Sequence, residues 1–235
     1  MAPSTKEMIE RYLKLDSALI YDTLNAMGLP DQQLSLDIQP LDIDMVVAGP
    51  AFTTQSAVSE AADKVESDRL TFSGGSYHKA MSDGCVLVQD VGGDRVTGGL
   101  GENAGMTVQM HGCAGVVCDG GTRDRKALIQ AGFPVFSRFS TCTLSWGKKR
   151  LIDYQIPVRM SGHLTRWVTV HPGDFIFGDV DGILVIPQDL TLETLEGAEG
   201  VQENEEIERE HLRTTGSRPE GFQRKRFAHI RRVVE

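Results

Sequence analysis

The sequence predicts an α/β fold, and three observations carry that prediction. Short apolar runs at CVLVQD (85–90), AGVVCD (114–119) and PVFSRF (134–139) alternate with helix-length patterns at 101–110 and 124–131. Strands that are apolar on both sides belong in the middle of a sheet covered on both faces, which is what β-α-β units provide. From 156 to 186 the character changes. PVRM, RWVTV and DFIFGDVDGILVIP then read as consecutive strands, with turns at Pro172-Gly173 and Asp181-Gly182.

The remaining elements follow in chain order. Ser4-x-x-Glu7 is a capping box that opens a first helix, with Met8, Ile9, Tyr12 and Leu13 on its apolar side. A second helix runs from about Ser17 to Met27 and stops at Gly28, with Pro30 just beyond. Residues 45–54 (MVVAGPAFTT) read as a strand, and a long charged helix fills roughly 188–213. The stretch after it, RTTGSRPEGFQRKRFAHIRRVVE, is basic and studded with Phe222, Phe227, Ile230 and Val233. It reads as a solvated tail or, given those apolar residues, as a surface that packs on a neighbouring subunit. A length of 235 residues suits one core and is short for two. One domain over 1–235 is therefore expected, with N-terminal helices at about 4–28 and a C-terminal helix and tail at about 188–235.

Composition excludes some roles. Twenty-four Lys and Arg against 33 Asp and Glu leave a net charge of −9, which argues against nucleic acid as the main partner. No apolar run approaches the roughly 20 residues of a membrane span, so no membrane partner is expected. The amphipathic, charged start MAPSTKEMIERYLKL is unlike a signal peptide, and the cytoplasm is the expected location. Cys85, Cys113, Cys118 and Cys142 form no C-x-x-C pair and read as structural thiols.

Gly99-Leu-Gly101-Glu-Asn-Ala104 fits G-x-G-x-x-A, and Asp119 ends a strand 18 positions after Gly101. That imitates a dinucleotide fingerprint. Two features count against it. Eight residues (91–98) separate the strand from the first glycine, and Glu102 puts a carboxylate where pyrophosphate would sit. What remains is a glycine-rich turn entering a helix, which exposes backbone N–H groups and a positive dipole end to a small anion.

Two such turns, Gly98–Ala104 and Asp119–Asp124, follow one another and present Glu102, Asp119, Arg123 and Asp124. The residues alone leave two readings for Arg123-Asp124: a helix N-cap beside a surface arginine, or a binding site. The run GCAGVVCDGGTRDRKALIQAGFPVFSR resembles the core of the regulator-of-ribonuclease-activity-A-like family, which includes 4-hydroxy-4-methyl-2-oxoglutarate aldolases. VTVHPGDFIFGDVDGILVIP is similar to its closing strands and SALIYDTLNAMG to its N-terminal helix. Aldolase members carry an acidic residue, twenty intervening positions and then Arg-Asp; here Glu102 is followed by residues 103–122 and Arg123-Asp124.

The resemblance implies a layered αββα sandwich around a mixed central sheet, assembled as a trimer or hexamer. It implies a class II pyruvate aldolase that cleaves a small 4-hydroxy-2-oxo acid like 4-hydroxy-4-methyl-2-oxoglutarate to pyruvate with Mg²⁺ or Mn²⁺, with side oxaloacetate decarboxylase activity. Asp124 would ligate the metal and Glu102 would hold metal-bound water or bind directly. Gly101, Arg123 and the N–H groups of Asn103 and Ala104 would take the pyruvyl carboxylate. His78 would face the site or pack for structure; the other histidines read as structural. Glu199 or Glu203 would reach a neighbouring subunit's site. Two departures stand out: Glu102 replaces the usual aspartate, and the 140–155 segment places Trp146, Lys148, Lys149 and Arg150 where substrate selectivity is set. Two rivals stay open, a non-catalytic regulator of an RNA-processing enzyme and a lyase of the same fold acting on a sugar-derived oxo acid.

Overall fold

The computed structural model describes residues 3–58 and 77–233. Ser4 accepts a hydrogen bond from the Glu7 N–H and opens α1 (Thr5–Tyr12) as the capping box requires. Asp16 caps α2 (Ser17–Met27), and Gly28 ends it with a left-handed φ of 95°. Then come β1 (Gln39–Pro40), β2 (Val47–Val58), a 3-10 turn at Tyr77–Ala80, β3 (Val86–Asp90) and β4 (Gly98–Leu100). The middle is α3 (Glu102–Met110), β5 (Gly115–Thr122), α4 (Arg125–Gln130) and β6 (Val135–Ser140). After β7 (Lys149–Tyr154) follow β8 (Val158–Ser161), β9 (Trp167–Val170), β10 (Phe175–Gly178), β11 (Ile183–Ile186), α5 (Thr191–Thr215) and α6 (Phe222–Arg226).

The strands make a mixed sheet in the order β1-β6-β5-β3-β2-β10-β11, with β4 beside β5 and β7 beside β2. β2, β3, β5 and β6 run parallel, because α3 and α4 carry the chain back across the sheet between β3, β5 and β6. β10 joins β2 and β11 antiparallel, and a separate ribbon of β8 and β9 packs across β2 and β3. The mixed, layered α/β architecture agrees with the expectation.

Strand alternation sorts the apolar residues into two cores. Phe175, Phe177, Leu184 and Ile186 meet Tyr12, Ile20, Leu24, Leu195 and Ala198 of the helices α1, α2 and α5. Ile176, Ile183 and Val185 point the other way, into a larger core with Val86, Val88, Val116, Phe136, Met160 and Val170. Tyr12 stacks on Phe175 at 4.4 Å and donates its hydroxyl to the Thr191 carbonyl, so α1 is fastened at both ends of one ring.

Three segments depart from what the sequence suggests. Residues 149–154 carry no alternation, yet they form β7, an edge strand exposed over half its length and paired only with β2 among the described residues. β5 runs on to Thr122, past the expected end at 119, because paired glycines at 120 and 121 sit in the sheet rather than in a turn. The basic tail does not stand free. Phe222 is buried, Phe227 and Ile230 pack on the helical core, and the Val233 N–H donates to the Met27 carbonyl at 2.9 Å. Arg226 pairs with Asp22 and Glu205, and Arg231 with Glu193. The acidic face of α5 and the end of α2 thus take up the tail within the same chain, and the tail supplies no reason to invoke a neighbour. Among the described residues no helix is long and apolar enough to cross a membrane.

A buried charged cluster locks β5, β6 and β8 together. The Arg138 side chain, 7% exposed, donates to Asp119 and to Asp37, while Asp119 also accepts from the N–H and hydroxyl of Ser161. Removing Arg138 would leave Asp119 with the two Ser161 donors and Arg95 at 3.8 Å, which costs about 3 kcal/mol, the low end for breaking a buried pair. Urea unfolding of Arg138→Ala should show a loss of that order. A loss within the error of the method would mean that the cluster does not hold the sheet.

Candidate active site

The site begins at a pair of strand ends. β4 lies against β5 with Gly98 opposite Gly121 and Leu100 opposite Thr122, and the Arg123 N–H donates to the Leu100 carbonyl at 2.8 Å. The turns into α3 and α4 are therefore side by side at the carboxyl ends of parallel strands, where open α/β sheets bind ligands. The approach is close enough to demand glycine. A Cβ on Gly98 would stand 2.9 Å from the Thr122 carbonyl group, and one on Gly101 would stand 2.5 Å from Asp124 Oδ2.

Asp124 occupies the N-cap position of α4 but its side chain makes no capping hydrogen bond. The helix start is closed by main chain alone, through the Asp124 carbonyl and the N–H groups of Ala127 and Leu128. Asp124 is left-handed, with φ 56° and ψ 34°, a conformation that an aspartate tolerates at some cost. That twist sends its carboxylate across to α3, where it accepts the Glu102 N–H at 3.1 Å; Arg123 Nε lies 3.6 Å from the same oxygen. The cap reading of Asp124 fails on this geometry.

α3 starts at Gly101, which offers no side-chain cap. The Glu102 N–H is taken by Asp124 and the Gly105 N–H by the Gly101 carbonyl. The N–H groups of Asn103 and Ala104 have no acceptor among the described residues. They open into a cleft of about 830 Å³, which both residues line together with Arg123, Asp124, Gly98, Gly99 and Gly101. Two unpaired N–H groups at a positive dipole end beside a guanidinium form a receptor for one carboxylate. Asp124 sits next to that receptor, 41% exposed at its side chain and available to a hard cation.

The opposite wall comes from elsewhere in the chain. Tyr77 and His78 enter from the 3-10 turn, Thr107 and Val108 from α3, and Leu144, Ser145 and Trp146 from the segment before β7. The His78 ring meets His111 edge-on at 4.5 Å, and the His111 Nδ1 lies 2.8 Å from the Thr107 carbonyl. Burial, then His111 and then Lys79 hold the His78 imidazole below the usual histidine range. Burial pushes the Tyr77 hydroxyl up to about 12, so it stays protonated.

Most of the residues singled out in the sequence meet here: Gly101, Asn103, Ala104, Arg123, Asp124, His78 and Trp146 line one cleft. Glu102 contributes its backbone to the Asp124 contact, while its exposed side chain lies outside the lining. Asp119 does not belong to the site; the extended β5 carries it into the Arg138 cluster. Lys148 lines a separate depression with Asp94 and Arg95, and Glu199 is held by Arg11 in a two-pronged pair within the chain. The sequence reading missed Tyr77, Thr107, Leu144, Ser145 and the partnership of His111 with His78. Thr107 and His111 were within reach, since they follow Asn103 at helical steps of four on one face of α3. Among the described residues no three His, Cys, Asp or Glu side chains cluster as a metal cage. A cation held by one or two carboxylates, with water completing its shell, is the arrangement such a donor set fits.

A mixed α/β fold with its polar centre on an Arg-Asp turn after β5 defines the class, and residues 17–185 match the RraA-like family model, described as Aldolase/RraA. The chain belongs to that family. It is 30% identical over 206 residues to a putative 4-hydroxy-4-methyl-2-oxoglutarate aldolase of Halalkalibacterium halodurans, covering 88% of this chain and 89% of the relative. Among solved structures, a chain described under novel cellulases from gut-associated microbes superposes with TM-score 0.80 at 30% identity, covering 88% of this chain and 89% of that one. RraAS2 of Streptomyces coelicolor, described as an unusual member of an RNase ES inhibitor family, superposes with TM-score 0.75 at 25% identity, covering 89% of this chain and all of that one.

His78 generates a pH prediction. Its folded-state pKa is depressed, so as pH falls through about 6.5 the unfolded chain takes up a proton that the folded chain refuses. Stability contributed at this position is intact above that value and falls between it and the folded pKa. NMR titration should place the His78 midpoint below 6.5, and His111→Asn should raise it. A midpoint at or above 6.5 would contradict the described packing.

Proposed function

We propose that this chain is a divalent-metal-dependent carbon–carbon lyase that cleaves a 4-hydroxy-2-oxo acid by retro-aldol reaction to pyruvate, with decarboxylation of oxaloacetate as a side activity. The observation that carries the reading is the Asp124 carboxylate, turned away from its own helix and fixed beside a carboxylate receptor. A carboxylate that leaves its own helix uncapped, gives one oxygen to the first N–H of α3 and stays 41% exposed beside that receptor keeps lone pairs for a ligand.

Mg²⁺ or Mn²⁺ fits the residues present. Asp124 would ligate it and Glu102, the first residue of α3, whose side chain lies outside the lining, would reach it through water; when bound it supplies Lewis-acid stabilisation of negative charge on the substrate's 2-oxo oxygen. The chain's own residues do the rest. The Arg123 fork and the N–H groups of Asn103 and Ala104 bind the substrate carboxylate and fix the 2-oxo group beside Asp124. A ring nitrogen of neutral His78 accepts the proton of the C4 hydroxyl. The C4 oxygen becomes a carbonyl, the C3–C4 bond breaks, and its electron pair passes to the C2–C3 unit as an enolate. Arg123 stands by that charge. Protonation at C3 completes pyruvate. Oxaloacetate reaches the same enolate by losing carbon dioxide.

Other readings have less support. Glycoside hydrolysis needs two carboxylates flanking the bond, and Asp124 is the single carboxylate among the described lining residues. A regulator that binds an RNA-processing enzyme would share the tie between the two turns but has no use for the N–H groups of Asn103 and Ala104 at the cleft. Assembly as a trimer or hexamer is part of the proposal and rests on the family resemblance alone.

Chelator should abolish pyruvate release from 4-hydroxy-2-oxo acids, and added Mg²⁺ or Mn²⁺ should restore it. Borohydride with substrate should trap no lysine adduct. Asp124→Asn keeps a residue that accepts the left-handed backbone, so stability should stay within about 0.5 kcal/mol while turnover falls by more than about 10²-fold. Full activity in excess chelator, or normal turnover in Asp124→Asn, would sink the assignment.

A further inference from the structure

Placing a pyruvyl group on Arg123 and the α3 N–H groups leaves most of the cleft, about 830 Å³ in all, for the part of the substrate that departs. Resting on the lyase reading above, we infer that this departing half is uncharged and apolar, an aryl or branched-alkyl aldehyde or ketone seated against Trp146 and Leu144. The preferred substrate is then a 4-aryl or 4-alkyl 4-hydroxy-2-oxo acid, and not one with a second carboxylate at C4.

The walls argue for it. Leu144 and Trp146 are 52% and 46% exposed, and both line the cleft. Large side chains presenting that much apolar surface to a cavity gain by covering it with a ligand of the same character, and an indole offers a ring face for stacking. Tyr77 and Val108 continue the apolar lining, while Thr107 and Ser145 offer hydroxyl groups suited to an alcohol rather than to a charge.

The distribution of cations argues against a second carboxylate. Arg123 is the one cationic side chain among the described lining residues, and the proposed reaction already uses it. His78 is held neutral near pH 7 by burial and by its neighbours. Lys149 is not among the residues that line the cleft; its Nζ lies 2.2 Å from where a Cβ on Gly99 would stand. A C4 carboxylate would lose water against Leu144 and Trp146, with no second cationic side chain among the described lining residues to replace it.

The test compares three substrates on the full chain with Mg²⁺, reading pyruvate release: 4-hydroxy-2-oxo acids carrying phenyl, methyl or carboxylate at C4. The expected order of kcat/KM is phenyl, then methyl, then carboxylate, with phenyl exceeding carboxylate by on the order of 10²-fold. Trp146→Ala should lower kcat/KM for the phenyl substrate about tenfold more than for the methyl one. Trp146→Arg should move the preference toward the carboxylate substrate. A wild-type preference for the carboxylate would overturn the inference and leave the lyase reading standing, as would a Trp146→Ala variant that loses equally on all three. No pyruvate from any substrate with Mg²⁺ or Mn²⁺ would overturn the lyase reading and this inference with it.

Discussion

A single hydrogen bond, from the Glu102 N–H to the Asp124 carboxylate, ties the turn after β4 to the turn after β5. Much of the local structure answers to it. Gly98 and Gly101 have no side chain because the two turns meet at a distance where a Cβ would strike Thr122 or Asp124. Asp124 gives up its cap and takes a left-handed backbone to make the bond. The first N–H of α3 is thereby paired, and the next two, from Asn103 and Ala104 at the cleft, have no acceptor among the described residues. The polar character of the site thus comes as much from which backbone groups are left over as from the side chains.

That arrangement needs strands that do not move. β4 and β5 hold the turns in register on one side, and the Arg138–Asp119–Ser161 cluster holds β5 to β6 and β8. Asp119 lies five residues before Asp124 on the same strand and turn, yet serves the fold while Asp124 stands in the cleft. The division of labour is physical: a carboxylate boxed in by a buried guanidinium and two Ser161 donors has no capacity left for a ligand, whereas one that is half-exposed at a strand end does.

Legibility in the sequence followed the strength of local signals. β10 and β11 are buried along their whole length and β3 and β6 over their first three residues, so their apolar runs could not be mistaken, and α1 and α2 announce themselves through capping residues. The site pair Arg123-Asp124 was ambiguous locally and became readable only through its spacing from Glu102 and its family resemblance. What was illegible has identifiable causes. β7 is a half-exposed edge strand and needs no alternation. Gly120-Gly121 looks like a turn and is strand, because Phe139 and the Thr97 carbonyl crowd the place a Cβ would fill. The tail is basic and apolar in sequence, and nothing local says that its acidic partners are Asp22, Glu193 and Glu205 of the same chain. Leu144 and Trp146 stand in an irregular segment whose position depends wholly on the fold around it.

The account stands or falls on Asp124 as the residue that recruits a cation. Titrating Mn²⁺ into the metal-free chain and counting bound ions by electron paramagnetic resonance addresses this without any substrate. The account predicts one ion per chain, lost or greatly weakened in Asp124→Asn, with the melting temperature of the variant close to that of the parent. Mn²⁺ binding that is the same in Asp124→Asn as in the parent chain would contradict it.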